Sequence, residues 1–237
     1  MKIVVDNLTS TLETDNPKII STLREKYSFS VPGHEYSQAY KKRRWDGKKR
    51  YFGANGKFKT GLLPRIVADL KEIGATDIDW ENKPENVEPF IPKVAKFEYR
   101  EYQEKAIYEC LKSKRAIIDS PTGSGKTLIM AGCIAALQHG EDVTAVVLFR
   151  EKGILNQTYE FFKKCGIRDL GYNSGEGYVP GKVMLSTVQS IERIIDTHLH
   201  QTQLLMVDEA HQFCKGETTI AAVESFPNAS YRLAFTA

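Results

Sequence analysis

The chain has 237 residues, with 33 Lys and Arg against 30 Asp and Glu for a net charge of +3, and 41% of its residues are hydrophobic. That length suits one large domain or two smaller ones, either able to bury a core. No apolar run approaches the ~18 residues needed to span a bilayer and no signal peptide opens the chain, so a soluble cytoplasmic protein with no membrane partner is expected. Cys110, Cys133, Cys165 and Cys214 lie far apart without a Cys-x-x-Cys pair, which argues against a zinc site or disulfide framework and agrees with a reducing compartment. His198 and His200 have no cysteine or acid at ligand spacing and read as loop or strand histidines. Charge is unevenly spread. Residues 1–97 hold 18 Lys and Arg against 13 acids, and residues 98–237 hold 15 against 17.

In chain order, residues 2–5 and the alternating stretch 9–14 predict a hairpin around Asn7. Pro17, capped by Asp15 or Asn16, starts a helix over residues 18–26 with Ile19, Ile20 and Leu23 on one face. Residues 41–50 hold seven basic side chains, Lys41, Lys42, Arg43, Arg44, Lys48, Lys49 and Arg50, and one acid, Asp46. Lys57 and Lys59 follow across an expected hairpin whose Asn55-Gly56 signals a type I′ turn. A basic run broken by Trp45, Tyr51 and Phe52 suits phosphate contacts flanked by rings. Trp45 itself is expected in the core or at a hinge, with a turn at Asp46-Gly47. A second helix runs from about Leu62 to Ile73, stopped by Gly74, and residues 76–80 return to the sheet. The proline-rich stretch that follows reads as a linker over residues 82–97.

Beyond it, apolar runs at 116–118, 143–149, 183–185, 203–207 and 231–235 alternate with helical patterns at 100–113, 126–138, 153–165 and 219–226. That alternation predicts a parallel sheet covered on both faces, with ligands beyond the carboxyl ends of its strands. The loop Ser120, Pro121, Thr122, Gly123, Ser124, Gly125, Lys126, Thr127 lies between the first strand and a helix, the context a phosphate-binding loop requires. Its glycines let backbone N–H groups crowd a phosphate, and the helix start adds the positive end of a dipole. Lys126 is the candidate for the β/γ-phosphates, and the Thr127 hydroxyl for Mg²⁺. Downstream, the run 204–207 ends in Asp208-Glu209-Ala-His211. Asp208 is placed to hold the metal and Glu209 to orient or deprotonate the attacking water.

With these elements in order, residues 98–237 resemble the first motor domain of a superfamily 2 helicase of the DEAH/DExH kind. Arg100 and Gln103 resemble the family's adenine-reading Arg-x-Tyr-Gln element. Gln103 has the acceptor and donors to pair with an adenine edge. Residues 147–157 lie where motif Ia begins. The stretch 186–190 resembles the later motif that contacts the nucleic-acid backbone, and 233–237 resembles motif III. The resemblance implies a RecA-like α/β motor domain over 98–237 that binds ATP and Mg²⁺. It implies backbone contacts from Arg150, Lys152, Gln157, Thr187 and Gln189, with Lys182 as a further addition. His211 and Thr236 are implied to report nucleotide state to the nucleic-acid track. Such contacts are largely independent of base sequence and sensitive to salt.

The chain departs from the pattern at Ser120, where Gly or Ala is usual, and a local adjustment is expected. It also ends within motif III, so the family's second RecA-like domain, whose arginines supply about 10³–10⁵ in rate, is expected to lie outside these residues. Weak nucleotide binding and little turnover are therefore expected of the 237 residues alone.

Residues 1–81 are expected to form a small α/β (α+β) nucleic-acid-binding domain. Tyr40, Trp45, Asp46, Gly47, Arg50, Gly61, Leu62, Ile66 and Gly74 resemble the N-terminal domain of UvsW-like helicases of tailed phages. That resemblance implies branched or forked DNA as the partner, branch migration in recombination and repair as the task, and the bacterial or phage-infected cytoplasm as the place. Two other readings stay open: a duplex translocase that never separates strands, and a nucleotide-gated DNA-binding module without turnover. RNA in place of DNA also stays open, because backbone contacts alone do not tell the sugars apart.

Overall fold

The computed structural model describes residues 1–85, 88–95, 97–140, 142–213 and 217–237. It divides into two compact units, Met1–Glu85 and Asn86–Ala237.

In the N-terminal unit, β1 (Lys2–Val4) and β2 (Thr9–Glu13) form the expected antiparallel pair. Helix α1 (Pro17–Lys26) begins at Asn16, whose Oδ1 accepts from Lys18 N at 3.1 Å, so Asn16 rather than Asp15 is the cap. Next come β3 (Ser28–Ser30), the single turn α2 (Gln38–Lys41), β4 (Lys48–Arg50) and β5 (Lys57–Lys59). Helix α3 (Leu63–Glu72) ends where expected, at Gly74 with φ +77°. Strand β6 (Asp79–Glu81) then pairs parallel with β1. The four-stranded sheet runs β5-β2-β1-β6, and Ile3, Leu12, Leu23, Phe52, Phe58, Ile66 and Leu70 form its core. Burying each large apolar side chain contributes about 1.5–3 kcal/mol.

The basic hairpin is corrected. Strand β4 pairs with β3 in a separate two-stranded ribbon, whereas β5 pairs with β2. The two sides meet at the bridge Phe52↔Phe58 and at the bond from Gly53 N to Lys57 O at 2.8 Å, and both rings are buried and stacked 5.7 Å apart. The turn is not type I′. Gly56 has φ +75° but Asn55 lies outside the positive region, and Gly56 N donates to Gly53 O at 3.1 Å. That is a type I turn closed by a left-handed glycine.

In the second unit, α4 (Glu101–Ser113), β7 (Arg115–Asp119), α5 (Lys126–Gly140), β8 (Ala145–Phe149) and α6 (Lys152–Cys165) follow the expected alternation. The chain continues through β9 (Leu170–Ser174), β10 (Gly177–Val179), β11 (Val183–Thr187) and α7 (Glu192–His198). It closes with β12 (Leu204–Val207), α8 (Ala210–Phe213), α9 (Glu217–Glu224) and β13 (Tyr231–Thr236). The seven-stranded sheet runs β10-β9-β11-β8-β12-β13-β7 and is parallel except for β10 at one edge. Alternate residues of β8 serve opposite faces. Ala145, Val147 and Phe149 enter one core with α4, α5 and α6, while Val146 and Leu148 enter the other.

Expectation and structure differ at four further places. Strands β9 and β10 and helix α7 lie outside the predicted runs, because Gly171, Asn173 and Ser174 break the apolar signal. Strand β7 is an edge strand, so Ile117 of its apolar run is 76% exposed rather than buried. The proposed linker is not all linker: Val94 is buried in the core of the second unit, and Ile91 and Phe97 pack on it. Asn86, Val87 and Lys96 of that stretch lie outside the described residues. His198 sits at a helix end, not in a loop or strand, held by Gly181 O at 3.0 Å from Nε2 and Thr197 Oγ1 at 2.8 Å from Nδ1. Cys110, Cys133 and Cys165 are buried free thiols, while Cys214 lies outside the described residues. Among the described residues, no helix is long and apolar enough to cross a membrane.

Candidate nucleotide site and nucleic-acid cavity

A parallel sheet puts all its strand ends on one edge, and the candidate residues gather there. Between β7 and α5 the phosphate loop turns through Gly123 (φ +82°) and Gly125 (φ +84°), conformations that side chains disfavour. A Cβ on Gly125 would lie 2.4 Å from Gln103 Nε2, so this glycine is also required for close packing. Ser120 fits through its hydroxyl, which donates to Ser124 Oγ at 2.6 Å. Lys126 Nζ reaches back across the loop to Ser120 O at 3.0 Å. Pro121, Thr122 and Gly123 are exposed, and Thr127 is half-buried at the first turn of α5.

Gln103 is held on both ends of its amide. It is 4% exposed, its Oε1 accepts from Arg100 N at 2.9 Å, and its Nε2 donates to Ser124 O at 2.9 Å. The amide thus ties α4 to the loop, leaving less of it for an adenine edge than a free Gln would offer. Tyr102, which was not singled out from sequence, donates to the same Ser124 carbonyl at 2.6 Å and accepts from Arg100 Nη1 at 3.3 Å.

Asp208 follows β12 and is 8% exposed. Burial pushes its carboxyl above the ordinary range, helped by the adjacent Glu209 charge and opposed by Lys126. Glu209 takes φ +50°, a strained backbone for a non-glycine residue. Its Oε2 lies 3.5 Å from His211 Nδ1, and that same nitrogen lies 2.8 Å from Thr236 Oγ1. Thr236 also touches the phosphate loop, since its carbonyl accepts from Ser120 N at 3.0 Å. Asp208, Glu209, His211, Thr236 and the loop therefore form one connected edge.

Farther along this edge, Arg150, Lys152, Thr187 and Gln189 line a cavity of about 670 Å³ with Gly175, Ser190, Glu192 and Arg193. Thr187 is buried and donates to Ser190 Oγ at 3.0 Å, and Arg150 Nη1 donates to Gln212 O at 3.3 Å. Lys152 is paired with Glu176 from the turn after β9. Arg193 was missed because α7 was. Its Nη1 donates to Ser174 O at 3.3 Å and Asn173 Oδ1 at 3.4 Å, and the buried Asn173 is itself fixed by Ser186 Oγ and Ser190 O. Two candidates fall outside the cavity. Gln157 is exposed on α6 beyond the lining, and Lys182 precedes β11, at the sheet's amino edge, where it pairs with Asp142.

In the N-terminal unit the basic run is split. Lys41 ends α2, Lys42, Arg43 and Arg44 form an exposed turn with Arg43 at φ +53°, and Lys48, Lys49 and Arg50 make β4. Lys48 is taken by Glu25 and Arg50 by Asp46, whose carboxyl that guanidinium pulls far down. Among the described residues, Lys41, Lys42, Arg43, Arg44 and Lys49 have no carboxylate partner. Trp45 is half-buried and donates from Nε1 to Lys48 O at 2.9 Å, anchoring the turn.

Comparison with known proteins follows this division. Residues 96–237 match the family model described as type III restriction enzyme, res subunit. The chain belongs to that family. Residues 4–76 of this family member match a second model, DNA helicase UvsW, N-terminal, so the UvsW-like superfamily 2 resemblance holds in both units. The ATP-dependent DNA helicase uvsW of Enterobacteria phage T4 is 21% identical over 236 residues, 89% of this chain and 46% of the relative. The chain thus spans about half the length of that curated relative. A crystal structure of the UvsW helicase from bacteriophage T4 superimposes with TM-score 0.80 at 17% identity over 99% of this chain and 91% of that one. A second structure of T4 UvsW gives 0.81 at 17% identity, covering 99% of this chain and 52% of that one. At such identities the likeness shows the fold, a RecA-like sheet preceded by a small α/β domain.

This family member's residues fit a magnesium-bound nucleotide. Thr127 and Asp208 are oxygen donors of the kind Mg²⁺ takes while keeping water and phosphate ligands. Around Gly123 no atom lies within 4 Å of a would-be Cβ, so the loop is open on that side.

Proposed function

We propose that the protein is an ATP-driven DNA motor of the superfamily 2 helicase kind that acts on branched or forked DNA. In this reading Asn86–Ala237 is the motor and Met1–Glu85 the unit that grips nucleic acid. The observation that carries it is the doubly bonded Thr236, whose carbonyl holds Ser120 N of the phosphate loop while its hydroxyl meets His211 beside Glu209. A displacement of the loop by nucleotide is thereby passed to the strand ends that continue into the Arg150–Arg193 cavity.

The loop amides and the N-terminus of α5 bind the β/γ-phosphates, and Lys126 exchanges the Ser120 carbonyl for phosphate oxygens. Thr127 and Asp208 would hold Mg²⁺, which would supply positive charge to offset the phosphates. Glu209 orients the attacking water. Its contact with His211 links the water site to Thr236. Arginines from a second motor domain complete the transition-state charge. Arg150, Lys152, Thr187 and Gln189 contact the DNA backbone, so affinity falls with salt but varies little with base sequence.

The test is strand displacement by the whole protein on forked and four-way DNA with ATP, with Lys126→Ala as the control. Unwinding that stops with Lys126→Ala is expected, and activity that survives the substitution would sink the assignment. The family match favours one other reading, a duplex translocase that leaves strands paired. In that case ATP is consumed on forked DNA without strand release.

A further inference from the structure

The β3–β4 ribbon carries a surface that the reading above leaves unused. Phe29 is 56% exposed and Tyr51 is 41% exposed, with ring centroids 5.8 Å apart at an interplanar angle of 69°. Phe29 stands opposite Lys49 across the ribbon, and Lys49 Nζ lies 5.3 Å from the Tyr51 ring centroid. The next residue, Phe52, is fully buried against Phe58, so the hydrophobic core takes one ring of this segment and leaves the other two outside. Charges are sorted in the same way. Glu25 and Asp46 are occupied by Lys48 and Arg50, which leaves the cation beside the rings without an acidic partner among the described residues.

Exposed rings flanked by an uncompensated ammonium suit a polyanion that also offers flat π-faces. An unpaired base meets both conditions, stacking on a ring while its phosphate meets the cation. Bases inside a duplex are stacked on both faces by their neighbours and offer no free face. The Lys41–Arg44 turn adds positive charge in the same unit, which favours nucleic acid over an apolar protein surface.

We propose that Phe29 and Tyr51 form a stacking platform for an unpaired base at a DNA branch point, with Lys49 holding the adjacent phosphate. The proposal rests on the N-terminal unit binding nucleic acid, and it adds a preference for melted over paired DNA.

The experiment measures the whole chain's affinity by fluorescence anisotropy for labelled oligothymidylate and for a blunt duplex of equal length, across several salt concentrations. Phe29→Ala and Tyr51→Ala are each expected to weaken single-strand binding about tenfold, while duplex affinity stays within about twofold. The salt slope should not change, because rings release no counterions. Lys49→Ala should make that slope shallower by about 0.7. Phe29→Trp should keep single-strand affinity, and unchanged melting temperatures confirm that these exposed substitutions leave the fold intact. Equal losses on strand and duplex, no loss on either, or a self-association that depends on Phe29 would overturn the platform. If Phe29→Ala changes nothing while alanines at Lys41–Arg44 lower affinity, the platform falls and nucleic-acid binding by this unit stands. If neither set changes affinity, both fall.

Discussion

The candidate nucleotide edge of the second unit and the basic segment of the N-terminal unit both gather polar and charged groups, under opposite constraints. At the nucleotide edge nearly every group is held by another. Lys126 is bonded to Ser120, Gln103 to Arg100 and Ser124, and Thr236 to Ser120 and His211. In the basic segment Lys48 and Arg50 are held by carboxylates, while Lys41, Lys42, Arg43, Arg44 and Lys49 project from a turn and a short ribbon. Preorganised groups suit charge that develops at one point, as in phosphoryl transfer. Long unpaired side chains suit a repeating polyanion, where many weak contacts add and no single one is decisive.

Substitutions at the two sites should therefore fail in different ways. The largest effect is expected from Lys126→Ala in the whole protein, which should lower ATP turnover about 10³-fold and leave DNA affinity without nucleotide unchanged. Steady-state ATPase and anisotropy assays together check this, and a parallel fall in DNA affinity would erase the contrast. Next is Ile66→Ala, which empties a fully buried position under α3 and should cost the N-terminal unit about 2–5 kcal/mol in denaturant unfolding.

Alanines at Lys41, Lys42, Arg43, Arg44 and Lys49 should each flatten the salt dependence of duplex binding by about 0.9 where a phosphate is contacted. Lys48→Ala should do less, because Glu25 already holds that ammonium. A larger slope change from Lys48 than from Lys49 would reverse the division between held and free cations.

The smallest effect concerns pH. Burial raises the Asp208 carboxyl above its unfolded value, so the folded state bears a cost for the charge once pH exceeds the folded pKa. Asp208→Asn should then raise the melting temperature slightly at pH 7. The gain should fade as pH falls through the raised folded pKa and be gone below about 4, where the carboxyl is protonated in both folded and unfolded chains. Turnover should be lost in the same variant at every pH.

The second unit, Asn86–Ala237, was the more legible of the two in the sequence. Strands β8 and β12 are continuous apolar runs because both faces are covered, and the phosphate loop and the acids follow β7 and β12 directly. In the N-terminal unit the strands are three to five residues long, so pairing partners could not be chosen from pattern. The misassigned hairpin shows this. Asn55-Gly56 signalled a turn correctly, but which strands flank it was decided by where Phe52 and Phe58 could be buried. Arg193 was overlooked for a related reason, since its position depends on Asn173 in a strand whose Gly, Asn and Ser hide it from an apolar count.

The sequence alone determined the alternation of the second unit's strands and helices, the phosphate loop with its glycines, and the order of Gln103, Lys126, Asp208 and Thr236. These are local properties, set by residue type, spacing and the side-chain period of each element. Tertiary structure alone decided that Gln103 is committed to Ser124, that Thr236 bridges the loop and His211, and that Gln157 and Lys182 miss the cavity. Those outcomes depend on which strand ends become neighbours, and strand order follows from burial across the whole sheet rather than from any one segment.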